Sequence, residues 1–145
     1  MARGTVEVIQ LRTTRLRDPN GALHIVRNGQ LSGIVNFSKS YTFAVVEVGV
    51  AYDADLDRVF ALLADLGREL KEQHPSVLES TEVRGVEKLG PSELIIRTTT
   101  RVKPGTHGQV ARDFRKRIIE AFRQQGIEIP YPHQVSIEKP TAPAA

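Results

Sequence analysis

The sequence predicts an α+β protein in which a small β-domain precedes a larger domain of strands and helices. Two observations lead to this prediction. Residues 4–40 contain two Asn-Gly pairs between short β-rich segments, and Asn-Gly is the strongest short-range signal for a hairpin. From residue 41 onward, apolar runs typical of buried strands alternate with two stretches of helical period. Residues 39–42 are the predicted joint between the two domains.

The first domain is predicted to be a set of four short strands with two tight turns. We place the strands at residues 5–11, 12–17, 22–26 and 34–37, and the turns at Asn20-Gly21 and Asn28-Gly29. A domain of about 35 residues is below the size that usually folds alone without disulfides or metals. The chain has no cysteine. We therefore expect this domain to be completed by neighbours, either the next domain or other copies of the chain.

The second domain is predicted to have the element order βαββαβ. Asp53 and Asp55 supply capping oxygens at the start of its first helix, which ends near residue 72. Gly126, followed by the apolar Ile127, is typical of a Schellman stop at the end of the second helix. The predicted strands are residues 43–52, 79–88, 93–102 and 133–139. This order is that of the ferredoxin-like split βαβ arrangement. The Pro- and Ala-rich residues 140–145 are predicted to be a disordered tail.

Composition limits the classes of function. The net charge of +3 is concentrated in residues 1–40, which hold six basic and two acidic side chains. A basic domain can contact nucleic acid or an anionic membrane, but a small excess is more typical of a solvated face. No apolar run approaches the roughly 20 residues that cross a bilayer. The absence of cysteine excludes disulfides and thiolate chemistry.

No catalytic, cofactor-binding or metal-binding constellation is predicted. None of the four histidines stands at an i, i+4 spacing with another. Asp53, Asp55 and Asp57 lack the glycine and the terminal glutamate of a calcium loop, and helix capping explains them. We therefore expect no enzymatic activity and no cofactor. The histidines are His24, His74, His107 and His133.

Three short motifs, in order along the chain, carry a family resemblance. The first runs from Leu11-Arg-Thr-Thr through Asp18-Pro-Asn-Gly and Asn28-Gly to Asn36-Phe-Ser. The second is Val50-Ala-Tyr-Asp-Ala-Asp-Leu-Asp, and the third is Gly126-Ile-Glu-Ile-Pro-Tyr-Pro. Together they span almost the whole chain, and they resemble the small-conductance mechanosensitive channel (MscS) family. Arg27 departs from the pattern, because it stands where the family usually has proline.

The resemblance implies a fold and a role. It implies a small Sm-like β-domain at residues 4–40 and an αβ-domain at residues 41–132. Residues 133–139 would form one strand of an oligomeric β-barrel. In the family, seven copies build a hollow cage beneath a membrane pore that releases ions and small solutes during hypo-osmotic shock. This region would serve assembly and filtering but not gating, on the cytoplasmic side of the inner membrane. The isolated fragment would be soluble, and the membrane helices would lie upstream.

The resemblance also selects candidate residues. Arg27 is a candidate charge near the ion path, and its lack of a φ restraint puts the rigidity of its turn in doubt. The motif and assembly candidates are Asn28, Gly29, Asn36, Phe37, Ser38, Asp53, Asp57, Pro130, Tyr131 and Pro132.

Two alternatives remain open from the sequence. A small β-barrel that assembles into rings also describes Sm-like RNA-binding proteins, and RNA-recognition domains share the βαββαβ order. However, residues 93–102 contain none of the aromatic side chains on which such domains stack bases. The second alternative is a soluble regulatory module of the ferredoxin-like type. We expect the partners to be further copies of this chain and no nucleic acid.

Overall fold

The chain forms two compact units, and the division falls between Asn36 and Phe37. A computed structural model describes residues 3–132. The predicted strand at residues 133–139 and the predicted tail at residues 140–145 lie outside the described residues. In the described part of the chain, neither helix combines the length and apolar character needed to cross a bilayer.

The first unit is a three-stranded antiparallel sheet in the order β1-β2-β3. Its strands are β1 Thr5–Ile9, β2 Thr13–Arg17 and β3 Leu23–Arg27. The β2–β3 connection is a turn in which the Gly21 N–H donates to the Asp18 carbonyl. Asp, Pro and Gly stand at the positions that a type I turn favours, and Gly21 has a φ of 89°. Three of the four predicted strands are therefore present. A turn lies at the predicted Asn20-Gly21, but it is the turn Asp18–Gly21, in which Gly21 has a positive φ and Asn20 does not.

Two predictions for this unit are wrong. Asn28-Gly29 does not form a hairpin turn, because the chain continues into a short 3₁₀ helix at Asn28–Gln30. Residues 34–37 form no strand in the described structure. A short apolar run becomes a strand only when a neighbouring strand pairs with its backbone groups, and no such partner is present in the three-stranded sheet. The pattern of apolar residues does not reveal whether a neighbouring strand is available to pair with residues 34–37.

The second unit is a two-layer α/β structure. A three-stranded antiparallel sheet has the order β4-β6-β5. Both helices bury their apolar stripes in one cluster against a single face of this sheet. Five of the six predicted elements are present in the predicted order: β4 Thr42–Val50, α1 Leu56–Gln73, β5 Glu82–Leu89, β6 Leu94–Val102 and α2 His107–Gln125.

The helix ends follow from local chemistry. Asp55 Oδ1 accepts from the Arg58 N–H at 3.2 Å and caps α1. Gly126 adopts a left-handed conformation with a φ of 66°, and the Ile127 N–H donates to the Phe122 carbonyl at 2.9 Å. This is the predicted Schellman stop of α2.

Candidate assembly surfaces

The first unit has almost no core of its own. Of residues 3–36, Thr14 alone is buried. Burying one Val, Leu or Ile side chain stabilises a protein by about 1.5–3 kcal/mol, and here that stabilisation is largely unrealised within the chain. We call the exposed aliphatic side chains of this unit the apolar surface. Its members are Val6, Val8, Ile9, Leu11, Leu23, Ile25, Leu31, Ile34 and Val35.

Asn28 ties together three segments of the first unit. Its Oδ1 accepts from the Thr14 hydroxyl at 2.8 Å. Its Nδ2 donates to the carbonyls of Gln10 and Leu11 at 2.8 and 3.2 Å. The family-motif residue Asn28 therefore holds the β1–β2 turn to the end of β3, and it does so through its side chain. Sequence reasoning missed Thr14 as its partner, although Thr14 belongs to the same motif.

Asp18 organises the turn between β2 and β3. Its Oδ1 accepts from the N–H groups of Asn20 and Ala22, each at 2.9 Å. Its Oδ2 lies 3.1 Å from His24 Nε2. The hydrogen bond from His24, followed by those from the backbone N–H groups, holds the pKa of the Asp18 carboxyl below its ordinary value.

We expect the β2–β3 turn to loosen in acid. The pKa of Asp18 is lowered by folding, so its contribution to stability is complete at neutral pH. That contribution is lost as the pH falls below about 4, through the lowered pKa. The amide NMR signals of Asn20 and Ala22 should therefore shift between pH 5 and pH 2 and follow a single titration.

Asp18→Asn should remove this titration. The control is Glu82→Gln, because Glu82 is an exposed carboxylate that pairs with Arg84 on β5 in the second unit, away from the turn. A turn titration that persisted in Asp18→Asn would contradict the assignment.

The second motif lies where β4 leads into α1. The Tyr52 hydroxyl donates to the Gly90 carbonyl in the β5–β6 turn. Asp53 lines a cleft of about 230 Å³ beside the exit of α2, together with Asp55 and Gly126. Asp57 lies in the first turn of α1, where a negative charge is favoured by the helix dipole.

Arg58 connects the start of α1 to the end of α2, although the sequence analysis did not select it as a candidate. Its Nη2 donates to the backbone carbonyl and to Oε1 of Gln125, at 2.8 and 3.0 Å. The start of α1 is thereby joined to the end of α2. The second and third motifs consequently meet at one place in the fold. The separation of 67 residues between these partners explains why no local pattern reveals the contact.

The remaining candidates lie in connecting segments. Tyr131 is 77% exposed between Pro130 and Pro132, after the end of α2. Asn36, Phe37 and Ser38 are exposed in the segment that precedes β4. Gly29 lies within the 3₁₀ helix, and no side chain atom or backbone atom stands within 4 Å of the position that a β-carbon would take there.

Arg27 occupies the last position of β3. Its φ of −72° lies in the range that proline imposes. The Asn28 N–H donates to the Arg12 carbonyl, so the alternation of an antiparallel ladder places Arg27 opposite Thr13 in a non-hydrogen-bonded pair. The backbone at this position is therefore compatible with the proline that the family usually has.

Family models and related proteins match both units. A model of the C-terminal region of the mechanosensitive ion channel MscS matches residues 44–129. A model of the mechanosensitive ion channel beta-domain matches residues 1–39. The small-conductance mechanosensitive channel of Caldanaerobacter subterraneus subsp. tengcongensis is 34% identical over 134 residues, which are 92% of this chain and 48% of that protein. The small-conductance mechanosensitive channel of Edwardsiella ictaluri is 38% identical over 66 residues, 43% of this chain and 23% of that protein.

Solved structures show the same fold. Helicobacter pylori MscS in its closed state matches with a TM-score of 0.75 at 22% identity, over 94% of this chain and 55% of that one. Arabidopsis thaliana MSL1 matches with a TM-score of 0.62 at 17% identity, over 89% of this chain and 49% of that one. The chain thus spans about half the length of these relatives. On the two family models and the relative at 34% identity, this chain belongs to the MscS family of mechanosensitive ion channels.

Proposed function

We propose that this chain is the cytosolic cage portion of a channel that releases ions and small solutes under membrane tension. The observation that carries this proposal is the 34% identity to a small-conductance mechanosensitive channel across 92% of the chain. The role of the chain is assembly and filtering, while membrane segments elsewhere in the full-length protein sense tension. The chain has no enzymatic role and needs no cofactor in this proposal.

The proposal assigns a domain type to each of the two observed units and a role to the residues that follow them. Residues 4–40 form an Sm-like β-domain and residues 41–132 a ferredoxin-like domain. Residues 133–139 supply one strand of a barrel shared among copies. The order β4-β6-β5 with both helices on one face supports the ferredoxin-like part, since that fold requires it.

We further propose that copies of this chain assemble, as a heptamer in the full-length channel. The apolar surface of the first unit supports this, because so many exposed aliphatic side chains in a small unit mark an interaction site. Ile25, at 60% exposure, is the member of this surface that lies on β3 opposite Arg15. Neighbouring copies would supply the burial that the first unit lacks.

The sheet of the second unit does not favour an RNA-binding ring. The two arginines on the exposed face of β6 are already paired with carboxylates. Arg97 Nη1 lies 3.1 Å from Glu87 Oε1, and Arg101 Nη1 lies 2.7 Å from Glu79 Oε1. Phosphate groups would have to displace these carboxylates, so this face offers little free positive charge to a nucleic acid.

A chimera tests the proposed function. This chain would replace the aligned region of the Caldanaerobacter channel, in cells that lack their own mechanosensitive channels. We expect tension-activated current in membrane patches and survival of dilution into low-osmolarity medium. A chimera that reaches the membrane at normal levels but gives no such current would contradict the proposal.

Single substitutions make the chimera test sharper. Ile25→Asp should abolish the current, because it places a charge in the proposed contact between copies. Leu89→Asp is the matched control, since Leu89 is 71% exposed but lies in the second unit, outside the apolar surface. Arg27→Pro should leave the current intact. It should also reduce any preference of the channel for anions over cations that Arg27 confers. An unchanged preference would remove Arg27 from the ion path.

A further inference from the structure

The two Asn-Gly pairs of the first unit lie in different surroundings. Asn20 and Gly21 are both exposed in the turn between β2 and β3, whereas Asn28 is half-buried at the start of the 3₁₀ helix. A β-carbon would meet no atom within 4 Å at either Gly21 or Gly29, so no distant part of the chain shields these glycines on that side. The clearest difference between the two pairs lies in their asparagine side chains.

The side chain of Asn20 is free, and that of Asn28 is held. Within residues 3–132, the side-chain amide of Asn20 forms no hydrogen bond, since it is the backbone N–H of this residue that donates to Asp18 Oδ1. Asn28, by contrast, uses Oδ1 and Nδ2 in three hydrogen bonds at 2.8, 2.8 and 3.2 Å. The Asn20 amide can therefore rotate in solvent, while the Asn28 amide is fixed in one orientation.

An asparagine that precedes a glycine can react with its own backbone. The glycine nitrogen gives up its proton and bonds to the asparagine Cγ, the bond from Cγ to the side-chain nitrogen breaks, and that nitrogen leaves with the proton as ammonia. Water then opens the resulting succinimide ring. Opening at Cγ gives aspartate, and opening at the backbone carbonyl carbon gives isoaspartate, in which the main chain runs through the former side chain. Glycine favours the reaction because it has no β-carbon to hinder the approach.

We propose that Asn20 is a site of spontaneous deamidation in the folded chain, and that the fold protects Asn28 from the same reaction. At the first site, the opposing contact is one backbone hydrogen bond, from the Gly21 N–H to the Asp18 carbonyl at 3.0 Å. At the second site, the side chain must leave its three hydrogen bonds before Cγ can reach the Gly29 nitrogen. This requirement should slow the reaction at Asn28 by more than about tenfold relative to Asn20.

The reaction would change the turn between β2 and β3. A carboxylate at position 20 would lie beside the Asp18 carboxylate, which accepts hydrogen bonds from the N–H groups of Asn20 and Ala22. Neighbouring carboxylates disfavour each other's ionised form, so the pKa of Asp18 should rise. Isoaspartate would also lengthen the main chain by a carbon atom just before Gly21, whose N–H closes the turn. Each deamidated copy therefore carries an additional negative charge and a looser turn.

Labelling of the full chain in water enriched in heavy oxygen tests the proposal. Ring opening places a solvent oxygen in the new carboxylate, so mass spectrometry records each event, and digestion in ordinary water adds no label. Trypsin cleaves after basic residues and leaves the two sites in separate peptides, residues 18–27 and 28–39. In the folded chain at mildly alkaline pH, Asn20 should acquire label more than about tenfold faster than Asn28. In concentrated guanidinium chloride the two rates should become similar, because the fold no longer holds either side chain.

Two threonine variants test the protection of Asn28. Thr14→Val removes the hydroxyl that donates to Asn28 Oδ1 and should speed labelling at Asn28 about fivefold, with no change at Asn20. Thr13→Val is the matched control, because the Thr13 hydroxyl donates instead to Gln10 Oε1, and both rates should stay the same. Equal labelling of the two asparagines in the folded wild-type chain would overturn the proposal. So would a folded chain that gains label at neither site while the denatured chain gains it at both.

Discussion

Gly67→Ala should lower the free energy of unfolding of the second unit by about 2 kcal/mol, as overpacking in a core does. Gly67 is buried in α1 where the helix passes close to Thr81. A β-carbon at residue 67 would lie 2.4 Å from the Thr81 Cβ and 3.1 Å from the Thr81 backbone nitrogen. The Thr81 hydroxyl is bonded to that of Thr100 at 2.7 Å, so this side chain is held in place.

The measurement is urea denaturation followed by far-UV circular dichroism. Both α-helices belong to the second unit, so the helical signal reports on that unit. Gly108→Ala is the matched control, because Gly108 is also helical but its β-carbon would approach no atom closer than 3.6 Å. Alanine is favoured over glycine in a helix by about 1 kcal/mol, so the control should be unchanged or slightly more stable. Equal urea midpoints for the two variants would refute the close-packing argument.

The sequence predicts the second unit better than the first, and the reason is the range of the interactions involved. The ends of α1 and α2 depend on Asp55 and Gly126, which act on backbone groups within a few residues of themselves. The presence of β4 and β6 is likewise readable from their apolar, β-branched runs, although the exposure of Phe43 on β4 is not. Both partners of such an interaction lie close together in the sequence, so the sequence alone is enough to predict it.

The failures arise where distant segments meet. The role of Asn28 as a tie depends on Thr14, Gln10 and Leu11, which a turn motif does not name. The Arg58–Gln125 contact depends on the antiparallel packing of two helices.

Asn28→Ala should destabilise the first unit by about 2–3 kcal/mol, because it removes three hydrogen bonds worth about 1 kcal/mol each. The effect is large for this unit because so little of it is buried. Amide hydrogen exchange should accelerate in β1, β2 and β3, while the helical circular dichroism of the second unit stays unchanged. Asn20→Ala is the matched control, because the backbone N–H of Asn20 makes the bond to Asp18.

Asn28→Asp separates the shape of the side chain from its hydrogen bonds. Aspartate keeps an oxygen that can accept from the Thr14 hydroxyl, but it has no N–H to donate to the Gln10 and Leu11 carbonyls. Its carboxylate would instead face two carbonyl oxygens, which repel it. If the tie is as described, Asn28→Asp should therefore speed exchange at least as much as Asn28→Ala. Normal hydrogen exchange in Asn28→Asp would show that the shape of the side chain is sufficient at this position. The hydrogen bonds that Asn28 donates to the β1–β2 turn would then not explain why asparagine stands here.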